Sequence, residues 1–105
     1  MEIHFDKEYL RELYEIGKTT DKKYRFQPDI VERYQSRIET LEGADNVEKL
    51  YTINPLHYEK LHGNKEGLES IRVNNKYRIE FETTKVYSKT VVTICNIVEL
   101  SNHYK

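Results

Sequence analysis

The spacing of apolar residues changes half-way along this chain, from helical to strand-like. A chain that makes this change once, with each stretch amphipathic, is constrained to an α+β fold in which helices cover one face of a sheet. In the first half Leu10, Leu13, Tyr14 and Gly17 follow at helical spacing. Asp6 stands where an N-cap belongs, with Tyr9 three residues later. The reading is a first helix over Lys7–Ile16, stopped by Gly17. Residues 18–27 are polar and basic and read as a connector. Pro28 suits the first turn of a second helix, along which Ile30, Val31, Tyr34, Ile38 and Leu41 form one stripe before Gly43 ends it. The two helices make a hairpin, and Asn46–Tyr51 adds a further turn. Ahead of them, Glu2-Ile3-His4-Phe5 alternates as a short strand does, with Ile3 and Phe5 inward.

In the second half Leu68–Asn74, Lys76–Thr83 and Thr90–Glu99 are rich in Ile, Val, Tyr, Phe and Thr and read as three antiparallel strands. Residues 53–58 offer another short one. Val91–Val98 is almost continuously apolar, which places it inside the sheet. A length of 105 residues bounds the chain to one domain, residues 1–105. With 37% hydrophobic and 33% charged residues its core is thin and its surface busy, yet nine Tyr and three Phe in periodic positions exclude disorder.

Charge narrows the function. A net charge of −1 argues against non-specific nucleic-acid binding. The balance is uneven, −3 over residues 1–50 and +2 over residues 51–105, so an anion site is expected in the second half. The single cysteine, Cys95, allows no disulfide within the chain and sits in an apolar strand, as a buried inert thiol does. The opening MEIHFDKEYL has no apolar segment of a signal peptide, and no apolar run is long enough to span a membrane. The expectation is a cytoplasmic protein with no membrane association. The four His have no metal-ligand spacing and no Cys cluster beside them, so neither metal nor cofactor is expected.

The segment Leu68–Glu82 carries the sharpest inference. Ile71 and Val73 share one strand face, and Tyr77, Ile79 and Phe81 share one face of the next. Placing both sets on the same side of the sheet requires Ile71 opposite Ile79 and a loop of Asn74-Asn75-Lys76. The same register sets Arg72 opposite Arg78 on the polar face, where like charges destabilise. Either Glu69, Glu80 or Glu82 neutralises the pair, or the pair receives an anion, for which guanidinium forks suit phosphate best.

These residues also carry a family likeness. Leu61-His62-Gly63 through Gly67, then Ser70-Ile71-Arg72-Val73-Asn74 and Tyr77-Arg78-Ile79, resembles the pattern of the HigB branch of the RelE/ParE toxin superfamily. Glu59-x-Leu61 resembles the family's lead-in, and Val98-Glu99-Leu100-Ser101-Asn102-His103-Tyr104 its C-terminal ending. Two positions depart from the pattern. His62 stands for the usual lysine before the glycine, and Asn102-His103-Tyr104 for the usual Asp-Tyr-His. The resemblance implies a RelE-like fold, with an N-terminal strand and helical hairpin packed on a small antiparallel sheet. It also implies a toxin that enters the ribosomal A site and cuts messenger RNA. Its partner would be a HigA-like helix-turn-helix antitoxin, through which alone it would reach operator DNA.

Cutting RNA without metal needs a base for the 2′-OH, cations for the phosphorane and an acid for the leaving 5′-oxygen. Arg78 is the candidate for phosphate stabilisation, with Arg72 assisting. His103 and His62 are candidate acid or base, since imidazole titrates near neutral pH. Tyr104 would orient the phosphate or stack on a base, and Glu59 would act as base or hold Arg72. Lys60, Lys65 and Lys76 are candidate RNA contacts. Lys22, Lys23 and Arg25 form a basic cluster on the connector, best read as a solvated loop. His4 and His57 read as structural or solvated. Two other functions stay open: a ParE-like inhibitor of DNA gyrase, and a non-catalytic antitoxin-binding module of the same fold.

Overall fold

The computed structural model describes residues 1–102. Strand β1 (Glu2–Phe5) leads into helices α1 (Glu8–Glu15) and α2 (Pro28–Gly43). A series of 3₁₀ turns follows, interrupted by the short β2 (Glu59–Lys60), and then β3 (Glu69–Arg72), β4 (Arg78–Tyr87) and β5 (Val91–Ser101). The five strands form one sheet in the order β1-β5-β4-β3-β2. Three of the four pairings are antiparallel, but β1 lies parallel to β5, with Ile3 beside Cys95 and Phe5 beside Ile97. The expected sheet is therefore mixed, and β5 is flanked on both sides, as its apolar run predicts.

The helices form because their stripes have somewhere to go. All five stripe residues of α2 are buried, with Tyr9, Leu10 and Leu13 of α1. They meet Ile71, Val73, Ile79, Phe81, Cys95 and Ile97, which alternation sends to one face of the sheet. Tyr34 is fully buried, and its hydroxyl donates to the Leu10 carbonyl at 2.7 Å, tying the two helices together. Gly17 ends α1 in the left-handed region, at φ 85°, with its N–H on the Glu12 carbonyl.

Two local expectations are corrected. Asp6 does not cap α1. Its N–H continues the β1–β5 pairing by donating to the Ile97 carbonyl at 2.8 Å, and the N-cap falls to Lys7, whose side chain makes no cap bond. Residues 53–58 are not a strand. Pro55 helps set a 3₁₀ turn over Asn54–Leu56, and pairing begins only at Glu59. The further turn expected at Asn46–Tyr51 is present as a 3₁₀ helix over Val47–Thr52. The connector contains a 3₁₀ turn at Lys22–Tyr24. Beyond Thr83, β4 runs on to Tyr87 opposite Val91, because Thr84-Lys85-Val86-Tyr87 finds the β-branched Val91–Ile94 across the hairpin.

Candidate functional site

The hairpin register is the one derived from the alternation. Ile71 pairs with Ile79, Arg72 with Arg78, and the Val73 N–H donates to the Tyr77 carbonyl at 2.9 Å. Asn74 closes the turn by accepting the Lys76 and Tyr77 N–H groups on its side-chain carbonyl. The two arginines thus stand side by side on the sheet face that the helices leave open.

Arg78 is held rather than loose. Its side chain is only 11% exposed. Its Nε donates to Ser70 Oγ at 2.9 Å, and a terminal nitrogen donates to the His57 carbonyl. The Glu59 carboxylate lies 3.6 Å from its Nε. Local sequence explains each partner. Ser70 sits two residues before Arg72 and so shares its face, and Glu59 is the register partner of Ser70, so β2 carries a carboxylate across to Arg78. His57 takes the left-handed conformation, φ 44°, as the chain leaves the 3₁₀ turn, and the carbonyl it presents there orients the guanidinium. Glu59 was expected to act as base or to hold Arg72; among the described residues its ion-pair partner is Arg78.

Arg72 is half-buried, and its guanidinium donates to the Asn75 side chain. No carboxylate pairs with Arg72 among the described residues. The three carboxylates weighed as neutralisers of the arginine pair have the following partners. Glu69 is on the helix-covered face, accepting from the Tyr58 hydroxyl at 2.5 Å and from Thr83 at 2.7 Å. Burial, and then this bond to Glu69, pushes the Tyr58 phenol well above its ordinary range. Glu82 accepts from Asn96 at 3.1 Å. Glu80 is buried on the open face and receives the Lys65 ammonium at 2.5 Å.

The remaining candidates separate. Glu59 and Lys60 are consecutive strand residues and point to opposite faces. Lys60 lines a cleft of about 420 Å³ together with His62, Glu69, Thr83 and Lys85, so His62 borders this cleft and not the one that Arg72 lines. Lys76 is exposed at the hairpin tip. His103 and Tyr104 lie outside the described residues. The strand that precedes them ends at Ser101, the register partner of Arg78. Sequence reasoning did not single out Ser70 or the His57 carbonyl. Ser70 had a readable signal, its phase with Arg72; His57 had none, because its part is played by the backbone. Among the described residues no group of three His, Cys, Asp or Glu is placed to hold a metal ion.

Comparison with known proteins decides the family. Residues 3–94 match the model of the HigB-like toxin, described as the RelE-like toxin of the type II toxin–antitoxin system HigB. Toxin HigB-1 of Vibrio cholerae serotype O1 (strain ATCC 39315 / El Tor Inaba N16961) is 34% identical over 83 residues, 78% of this chain and 83% of that protein. The chain belongs to the HigB-like toxin family. Two solved structures share its fold at low identity. A YoeB/ParE toxin from Agrobacterium tumefaciens, 16% identical, superposes with a TM-score of 0.59 over 99% of this chain and 100% of its own. The YoeB–YefM complex from Staphylococcus aureus, 20% identical, gives 0.54 over 99% and 98%. The toxin therefore has the α+β fold of these relatives, and the open sheet face with Arg72, Arg78 and Glu59 is its candidate site.

Proposed function

We propose that this toxin is a ribosome-dependent endoribonuclease that enters the A site and cuts messenger RNA by acid–base chemistry of its own side chains. The observation that carries this reading is the orientation of Arg78 by Ser70 and His57, with Glu59 at 3.6 Å and Arg72 directly opposite. A guanidinium fixed in this way meets a charged phosphorane with little reorganisation. Glu59 is exposed and acceptor-only when ionised, which suits it to take the proton from the 2′-OH. The freed 2′-oxygen attacks phosphorus, the bond to the 5′-oxygen breaks, and an imidazole supplies the proton that this oxygen needs. His103 follows closely on the strand end beside Arg78 and is the proposed acid, with Tyr104 orienting the phosphate. His62, with Lys60, is the proposed contact on the adjoining RNA, as are Lys65 and Lys76. A HigA-like helix-turn-helix antitoxin is the proposed partner, the complex reaching operator DNA through it, and the cytoplasm is the proposed compartment.

The test is 5′-end mapping of cellular messenger RNA after a short pulse of expression, wild type beside Arg78→Ala. Cuts phased to codons within translated regions, lost in the variant, are expected. Growth arrest with intact messenger RNA would overturn the nuclease and favour a target such as gyrase.

A further inference from the structure

The geometry points to a second anion site on this toxin: the cleft between the connector, the start of α2 and the β3–β4 hairpin receives the phosphates of the RNA strand that leads away from Arg78. The inference rests on the nuclease reading above and extends it to how the substrate is held.

The cleft has a volume of about 690 Å³. Four cations line it, Arg25 and Arg33 from the helical half and Arg72 and Lys76 from the hairpin, against a single carboxylate, Asp29. Among the described residues none of the four cations is in an ion pair, Asp29 included as a partner. Asp29 has another use, in the first turn of α2, where a negative charge offsets the exposed N–H groups and the helix dipole. The Arg37 guanidinium, one turn beyond Arg33, is pulled below its ordinary range by burial first and then by Arg33 and Arg72. A stable fold gains nothing from four cations gathered around one carboxylate that forms an ion pair with none of them.

Three features favour an RNA strand as the occupant. Arg72 belongs to both places: it stands opposite Arg78 across the hairpin and also lines the cleft, so the cations form one continuous track. Three of the four cations are arginines, whose forks match phosphate oxygens in pairs. Phe26 and Tyr77, in edge contact at 5.6 Å between ring centres, add aromatic surface to the wall, on which a base can stack. The site also departs from what the charge of the two halves implies, because Arg25 and Arg33 come from the half with net charge −3. Folding, and not composition, brings them to the hairpin.

The experiment measures binding apart from cutting. A labelled, uncleavable 2′-O-methyl RNA 12-mer is titrated by anisotropy into wild type, Arg25→Ala/Arg33→Ala, and Arg33→Lys, at several salt concentrations. Both arginine side chains are exposed, and thermal melts by circular dichroism check that the variants fold. The double variant is expected to bind on the order of 10-fold more weakly, with the slope of log affinity against log salt flatter by about 1.4, the loss of two phosphate contacts on a single strand. Arg33→Lys is expected to keep the wild-type slope, because the slope counts charge. Equal affinity and slope in wild type and the double variant would overturn the proposal. So would a double variant that keeps RNA but loses a labelled glutamate 12-mer, which would make the cleft an acidic-peptide site. Codon-phased cuts in cells together with unchanged RNA affinity would remove the cleft alone. Weakened RNA affinity in a protein that makes no cuts would keep the cleft and remove the nuclease.

Discussion

The two faces of the sheet are made by the same strands and share almost no chemistry. On the helix-covered face, Ile71, Val73, Ile79, Phe81, Cys95 and Ile97 are buried at 1% exposure or less. On the open face, the residues between them are Ser70, Arg72, Arg78 and Glu80, with Glu59 from β2. Burial alone does not separate the faces, because Ser70 and Glu80 are as buried as the core. What separates them is the kind of contact that holds each. The core face is held by area removed from water, and its few polar atoms find near partners. The open face is held by hydrogen bonds and ion pairs that also aim a guanidinium, so on the proposed reading a change at Arg78 costs chemistry more than folding. A strand that alternates apolar and polar residues lets one segment serve stability and function at once, since each has its own side.

That comparison can be broken at either face. The largest effect is expected from Phe81→Ala, which empties a fully buried aromatic site and costs about 3–5 kcal/mol in urea unfolding. A loss under about 1 kcal/mol would mean that this face is not the tightly packed one. Next comes Arg78→Ala, expected to reduce codon-phased cutting about 10²–10³-fold, with a smaller effect on the melting temperature than Phe81→Ala. A variant that unfolds would instead make Arg78 a structural residue.

A third test uses pH on the core face. Burial first, and the Glu69 charge second, push the Cys95 thiol from 9.0 up to about 12. The folded protein therefore keeps a proton that the unfolded chain gives up near pH 9. The stability linked to that proton is fully present below pH 9 and is lost as pH rises toward 12, by about 1.4 kcal/mol per pH unit. Between pH 8 and pH 10 wild type is expected to lose about 1.4 kcal/mol more than Cys95→Ala does, and parallel losses would place the thiol in water. The smallest effect is expected from Tyr34→Phe, which removes one buried hydroxyl from the Leu10 carbonyl and costs about 1 kcal/mol by thermal or urea unfolding. No change there would mean that the helix pair is held by packing alone.

Much of the architecture was legible because it is local. A period of 3.6 announces a helix stripe and a period of 2 announces a strand face, and each stripe residue of α2 went where its period sent it. The Arg72–Arg78 pair was legible for the same reason. The apolar residues of the hairpin can share a face in one register, and that register carries the arginines with it. Ser70 was within reach of the same reasoning.

The amino-acid sequence by itself determined which faces are apolar, the register of the β3–β4 hairpin and the existence of the arginine pair, because these follow from alternation and turn length over a dozen residues. The tertiary structure alone decided that β1 lies parallel beside β5, that residues 53–58 turn instead of pairing, and that His62 and Lys60 share a cleft with Glu69. It also decided which carboxylate meets Arg78 and which arginines gather at the hairpin tip. These depend on contacts between segments far apart in the chain, whose partners are chosen by packing and by competition among several equally charged side chains, and no local period encodes that choice.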